Sequence, residues 1–127
     1  MLLNDNVSKA RAISAKISEK EQDLIKAYIQ GAIYCFCKNC PNDNGVGSKP
    51  FHARDLFGGE NYFWEETPLF VLFDWHRNNG ANNPQNEAGK DVGHLMSAVI
   101  QNDKRVFTLN RGYTNQYQWT GEERACE

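Results

Sequence analysis

The chain has no long apolar run, no surplus of positive charge and no internal repeat. Each absence removes a class of function. Uninterrupted apolar stretches such as Leu69 to Phe73 fall far short of the roughly 20 residues that a membrane helix needs, so no membrane partner is expected. The opening MLLNDNVSKARAIS lacks the apolar h-region of a signal peptide, which leads to the expectation of a cytoplasmic protein. In that compartment Cys35, Cys37, Cys40 and Cys126 would be reduced thiols rather than a disulfide framework. A net charge of −2 and a pI near 5.9 exclude a polybasic coat for nucleic acid. There is no phosphate-cradling glycine loop, nucleophile elbow or HExxH pair. Glu65 and Glu66 are neighbours in sequence, which rarely point at one substrate, and Glu87-x-x-Lys90 lacks the upstream Asp of a restriction-type nuclease. The expectation is a protein that is not an enzyme and carries no cofactor.

What is present suits one domain. With 127 residues, 40% of them apolar and 12% aromatic, the chain can bury one core of three or four helices and a small sheet. Residues 1–17 read as a leading arm or short helix on the thin stripe Ala10, Ile13 and Ile17, residues 18–121 as the core, and 122–127 as a tail. Charge is unevenly spread: residues 1–50 hold seven Lys/Arg against five acids, 51–87 two against six, and 88–121 four against two.

Local signals predict the elements. Ser18-Glu-Lys-Glu21 is a capping box, followed by Ile25, Tyr28, Ile29, Ala32, Ile33 and Phe36 at helical spacing. That helix should stop near Cys37, ahead of the turn formers Asn39 to Gly45. Pro50 to Gly59 suggests an extended lead-in, one or two helical turns and a glycine stop. Thr67-Pro68 places a capping hydroxyl before a proline at the first helical position, predicting a helix over 68–77. Residues 78–87 read as a polar loop.

Val92, Leu95, Met96, Val99 and Ile100 then form one stripe of a helix over Lys90–Asn102. The following RVFTLNRGYTNQYQW predicts a hairpin. In it Phe107 and Leu109 share one side of a strand, Tyr117 and Trp119 one side of the other, and Gly112 supplies the freedom of the turn. The fold class expected is α+β, mainly helical, with a C-terminal β-hairpin. A donor-rich helix running into a hairpin with Arg111 at its tip resembles the winged helix-turn-helix domain, over roughly residues 18–121 as an order of elements.

That resemblance implies a winged-helix-like core of three to four helices and contact with double-stranded DNA, as in a small transcriptional regulator of bacterial or mobile-element origin. Lys90, His94, Ser97 and Gln101 would form the groove face, Lys104 and Arg105 the phosphate contacts, and Arg111 the wing tip. The competing partner is another protein on the same surface, and a homodimer is left open. Two features depart from the pattern. The loop before the recognition helix is long, and Asp91 and Asp103 put negative charge at both helix ends, Asp91 being readable as a partner of the helix dipole.

Two further constellations carry chemistry. Cys35, Cys37, Cys40 and His52 are soft ligands within one stretch, but the second compact pair that zinc favours is missing, so no metal is expected and Cys35 and Cys37 read as packing residues beside Phe36. His76, Asn86 and His94 stand in the order of a His-Asn-His metal nuclease, a reading that requires residues 69–76 to be a strand. The aromatic concentration of Phe57, Phe63, Trp64, Phe70, Phe73 and Trp75 reads as core.

Overall fold

The computed structural model describes residues 12–58 and 64–124. Most of the leading arm, the glycine stop at Gly59, Phe63, Cys126 and the end of the tail lie outside the described residues.

Ser18 starts the first helix, α1 (Glu19–Asn39), as its capping box requires. Its Oγ accepts from the Glu21 amide at 3.1 Å, and the Glu21 carboxylate accepts from the Ser18 amide at 3.0 Å. Ile25, Ile29, Ile33 and Cys37 are the buried seam. Each fully buried isoleucine contributes about 2 kcal/mol relative to exposure. Tyr28, assigned to the apolar stripe from its spacing, sits at the edge of the seam and is exposed. The helix closes with the Cys40 amide donating to the Phe36 carbonyl at 2.9 Å, two residues beyond the expected end.

The short α2 (Ala53–Phe57) is held by Asp55, whose carboxylate accepts from the His52 amide at 2.7 Å. Ahead of α3 (Phe70–Asn78), the Thr67 hydroxyl accepts from the Leu69 amide at 3.2 Å and the Thr67 carbonyl from the Phe70 amide at 3.2 Å. The Thr67-Pro68 cap therefore acts as its sequence indicates, after a first tight turn.

The fourth helix, α4 (Pro84–Asn102), starts a turn and a half before Lys90, not at it. Asn83 accepts from the Asn86 amide at 3.1 Å, and Pro84 occupies the first turn, where a missing N–H costs nothing. The expected 78–87 loop is thus cut short.

β1 (Arg105–Asn110) and β2 (Gln116–Glu123) pair antiparallel, with Phe107 opposite Trp119 and Leu109 opposite Tyr117, so the four side chains expected to form cross-strand pairs do so. A third segment adds to the outer side of β2: Phe51 and Tyr117 exchange two backbone hydrogen bonds of 2.8 Å. Gly112 does not adopt a positive φ, because residues 111–115 form an open loop rather than a tight turn. The left-handed glycines that matter here are Gly47 and Gly121, at φ 75° and 91°, where the 41–48 loop lies directly on β2.

The architecture is α+β, with four helices and the C-terminal hairpin among the described residues. α4 is the central element. Ala88, Val92, Leu95, Met96, Val99 and Ile100 are buried, and α4 packs against α1, α2 and α3. Phe51 joins the helices to the sheet, with ring centroids 4.8 Å from Phe36, 6.2 Å from Phe107 and 6.1 Å from Tyr117. No described helix is long and apolar enough to cross a membrane.

Candidate nucleic-acid interface

Because α4 is packed on several sides, only Gln85, Asn86, Lys90 and Asn102 of its residues are exposed. The seven side chains expected to contact DNA therefore have different surroundings. Lys90 is exposed, with its Nζ 3.5 Å from Glu87. His94, Ser97 and Gln101 are half-buried. The Gln101 amide donates to Ser97 Oγ at 3.3 Å, and Ser97 in turn bonds the Tyr117 hydroxyl. Ser97 thus ties β2 to α4, Gln101 is bonded to Ser97 along the helix, and the two do not form an open groove face. Lys104 is exposed and 3.2 Å from Glu123. Arg111 is exposed in the hairpin loop.

Arg105 is a correction. It is 9% exposed, and its guanidinium meets both oxygens of Asp103 at 3.0 and 3.1 Å. Its charge lies over the rings of Tyr34 and Trp119, 5.1 and 5.7 Å from their centroids. Asp103 also accepts from the Gln30 amide at 2.8 Å and from the Arg105 backbone at 2.8 Å. The strand alternation that turns Phe107 and Leu109 inward turns Arg105 inward as well, so a buried carboxylate is needed beside it. Arg105 fastens the α4–β1 junction to α1 and is not placed to meet a phosphate.

Asp91 is the second correction. It is fully buried, not a surface partner of the helix dipole. One oxygen accepts from the Ser14 amide at 2.8 Å; the other accepts from the Ala15 amide at 3.2 Å and meets His76 Nε2 at 2.7 Å. Segment 12–17 is consequently a non-helical strap pinned to the centre of α4. Asp91 is one residue from Val92 and three from Ala88, inside the apolar stripe, and that position was the available signal of a buried charge.

The cysteines behave unlike one another. Cys37 is buried and Cys35 exposed, so only one of the pair packs as expected. Burial pushes the Cys37 thiol up to about 11, against the lowering effects of Arg105 and a hydrogen bond to Ser48. No cluster of three or more His, Cys, Asp or Glu side chains suited to a metal occurs among the described residues. The His-Asn-His arrangement fails on geometry. Residues 70–78 are helix, and His76 is engaged by Asp91 in the interior.

A group of exposed polar side chains lies at the N-terminal end of α4. Asn82 and Asn83 lead into Gln85, Asn86 and Lys90, with Arg77, Asn78 and Asn79 at the end of α3 across the connecting turn. Arg77 forms an ion pair with Asp74. Tyr117 of β2 reaches Ser97 on α4, and the 111–115 loop meets His52, whose Nδ1 lies 3.1 Å from the Asn115 carbonyl and 3.0 Å from the Thr114 hydroxyl. Burial raises the Tyr117 hydroxyl above its ordinary value, opposed by its bonds to Asn115 and Ser97 and by the Arg111 charge. A comparison with family models, curated proteins and solved structures finds no match to this chain.

Proposed function

We propose that this protein binds duplex DNA as a winged-helix-type module, through the N-terminal end of α4 and the hairpin loop. The observation that carries the reading is the exposed, donor-rich start of α4. Asn and Gln amides can make paired hydrogen bonds to an adenine edge, and a recognition helix offers its N-terminal residues to base edges. Gln85, Asn86 and Lys90 occupy that position. Arg111 supplies positive charge on the exposed hairpin loop, and Lys104 a further cation at the helix–strand junction.

The ion pairs of Lys90 and Lys104 do not preclude this role. Both are exposed, and exposed pairs are worth about 0–1 kcal/mol, so a phosphate can replace the carboxylate. The footprint differs from the one that helical spacing suggests: it excludes Arg105, Ser97 and Gln101 and adds Gln85 and Asn86.

A gel shift with random duplex at low salt tests the proposal. Three cations on phosphates predict a slope of log affinity against log salt of about −2 to −3. Lys90→Ala combined with Arg111→Ala should remove most of the affinity while the thermal melt stays unchanged, because both side chains are exposed. Absence of low-salt binding, or binding that this double variant leaves intact, refutes the reading. A protein partner on the same surface would give no salt-steep duplex binding.

A further inference from the structure

The outward face of α1 is unusual for a surface helix. Between Leu24 and Cys35 its exposed residues are Leu24, Ala27, Tyr28, Gly31, Tyr34 and Cys35, none of them charged. Leu24 is 60% exposed, Tyr28 38% and Tyr34 49%. A helix that buries one stripe ordinarily turns charged and polar residues the other way. Here the buried stripe of Ile25, Ile29, Ile33 and Cys37 is backed by a second stripe in which apolar and small residues recur three and four apart. Contiguous exposed apolar surface of this kind marks a contact site.

We infer that this face pairs with the same face of a second copy of the chain, the two α1 helices running antiparallel about a two-fold axis at Gly31. The occupant is identified by the way the face reads in reverse. Centred on Gly31, Tyr28 falls opposite Tyr34 of the second copy, Ala27 opposite Cys35, and Leu24 opposite Lys38. An isologous contact demands this self-complementarity.

Packing and charge agree. A Cβ added at Gly31 would meet nothing within 4 Å, so the backbone there is open to close approach. Small Ala27 flanks it, and large side chains lie further out. Glu19 and Asp23 stand at the N-terminal end of the helix and Lys38 in its last turn. Antiparallel pairing lets the Lys38 stem cover Leu24 while its ammonium reaches the Asp23 carboxylate. Lys20 falls beyond the overlap, and opposed helix dipoles align favourably. Tyr28 is supported from behind by Phe57, at a centroid distance of 6.0 Å, and Tyr34 by Arg105, so both rings are held ready for contact. The inference does not depend on DNA binding.

Sedimentation equilibrium of the full chain over about 5–500 µM, the range of small interfaces, tests it. The expected result is a reversible dimer that Gly31→Arg shifts to monomer, with an unchanged circular dichroism spectrum because space is open at that position. Leu24→Glu, at the far edge of the patch, should weaken association at least tenfold. For orientation, Ala27→Cys oxidised with oxygen and copper–phenanthroline should form intermolecular disulfides between the introduced thiol and Cys35 of the second copy. Peptide mass spectrometry reads that cross-link, and a Cys35→Ser background should abolish it. A monomer throughout that range overturns the proposal. So does a dimer indifferent to Gly31→Arg, or one whose cross-link is Cys35 to Cys35, which would indicate parallel helices.

Discussion

Replacing Asp91 by alanine should be among the most damaging single changes outside the apolar core. The carboxylate is completely buried and accepts from two backbone amides while pairing with His76. Hydrogen bonds to a charged acceptor are worth about 1.5–3 kcal/mol each, but their sum overstates the loss. Ser14 is exposed and its amide can turn to water, whereas Ala15 and His76 are buried and would be left without an acceptor. Each buried donor left without an acceptor costs about 1–3 kcal/mol, so with two of them the expected loss is about 3–5 kcal/mol. It is a large part of the roughly 5–15 kcal/mol that holds a domain of this kind folded. At about 4 °C per kcal/mol for this chain length, the melting temperature should fall by about 12–20 °C. Asp91→Asn keeps the shape and one acceptor oxygen, so its melt should lie between. Thermal unfolding followed by circular dichroism gives the magnitude. Amide exchange at Ala15 shows the cause, because releasing the strap should expose that N–H. A melt within about 3 °C of the parent, or unaltered exchange at Ala15, would show that Asp91 does not anchor residues 12–17.

Four other outcomes follow from local geometry. In the folded protein an alkylating reagent at neutral pH should label Cys35 and leave Cys37 untouched until denaturant is added, as mass spectrometry can report. Since the Cys37 thiol is raised from 9.0 to about 11, its contribution to stability is complete below pH 9 and should decline as pH rises from 9 to 11; Cys37→Ala should show a smaller decline in urea titrations, the raised Tyr117 hydroxyl still contributing above pH 10. Gly47→Ala should destabilise by at least about 2 kcal/mol, because φ is positive and the new methyl would collide with the Trp119 carbonyl and lie 2.9 Å from the Gly121 amide. Arg105→Ala should lower the denaturant midpoint, whereas a residue acting only on phosphate would leave stability intact and lower DNA affinity alone.

Much of the fold was legible because its signals are local. Ser18 and Glu21, or Thr67 and Pro68, satisfy the first amides of a helix within a few residues, whatever packs against it later. Alternation shows which hairpin side chains share a face, while the register that places Phe107 opposite Trp119 depends on the length of the 111–115 loop. The start of α4 was equally local but hidden. Asn83-Pro84 repeats the logic of Thr67-Pro68, yet it stands in an asparagine-rich run whose composition reads as loop.

The candidate site was less legible, for a different physical reason. Whether a polar side chain on an amphipathic helix faces solvent depends on what the rest of the chain lays over it. Ser97 and Gln101 lie on the polar side of α4 by spacing, but both are half-buried: Gln101 bonds Ser97, and Ser97 bonds Tyr117 of the returning hairpin. Arg105 and Asp103 are two residues apart, and spacing shows only that they could pair. Gln30, Tyr34 and Trp119, from α1 and β2, determine that the pair is interior. The same consideration explains the outer face of α1. Periodicity identified one apolar stripe and assigned Tyr28 to it, whereas the folded chain leaves Tyr28 outside with Leu24 and Tyr34. A helix with two apolar sides and only one of them covered by its own domain has surface left to bury. That imbalance, rather than any catalytic constellation, is what most distinguishes this molecule's exterior.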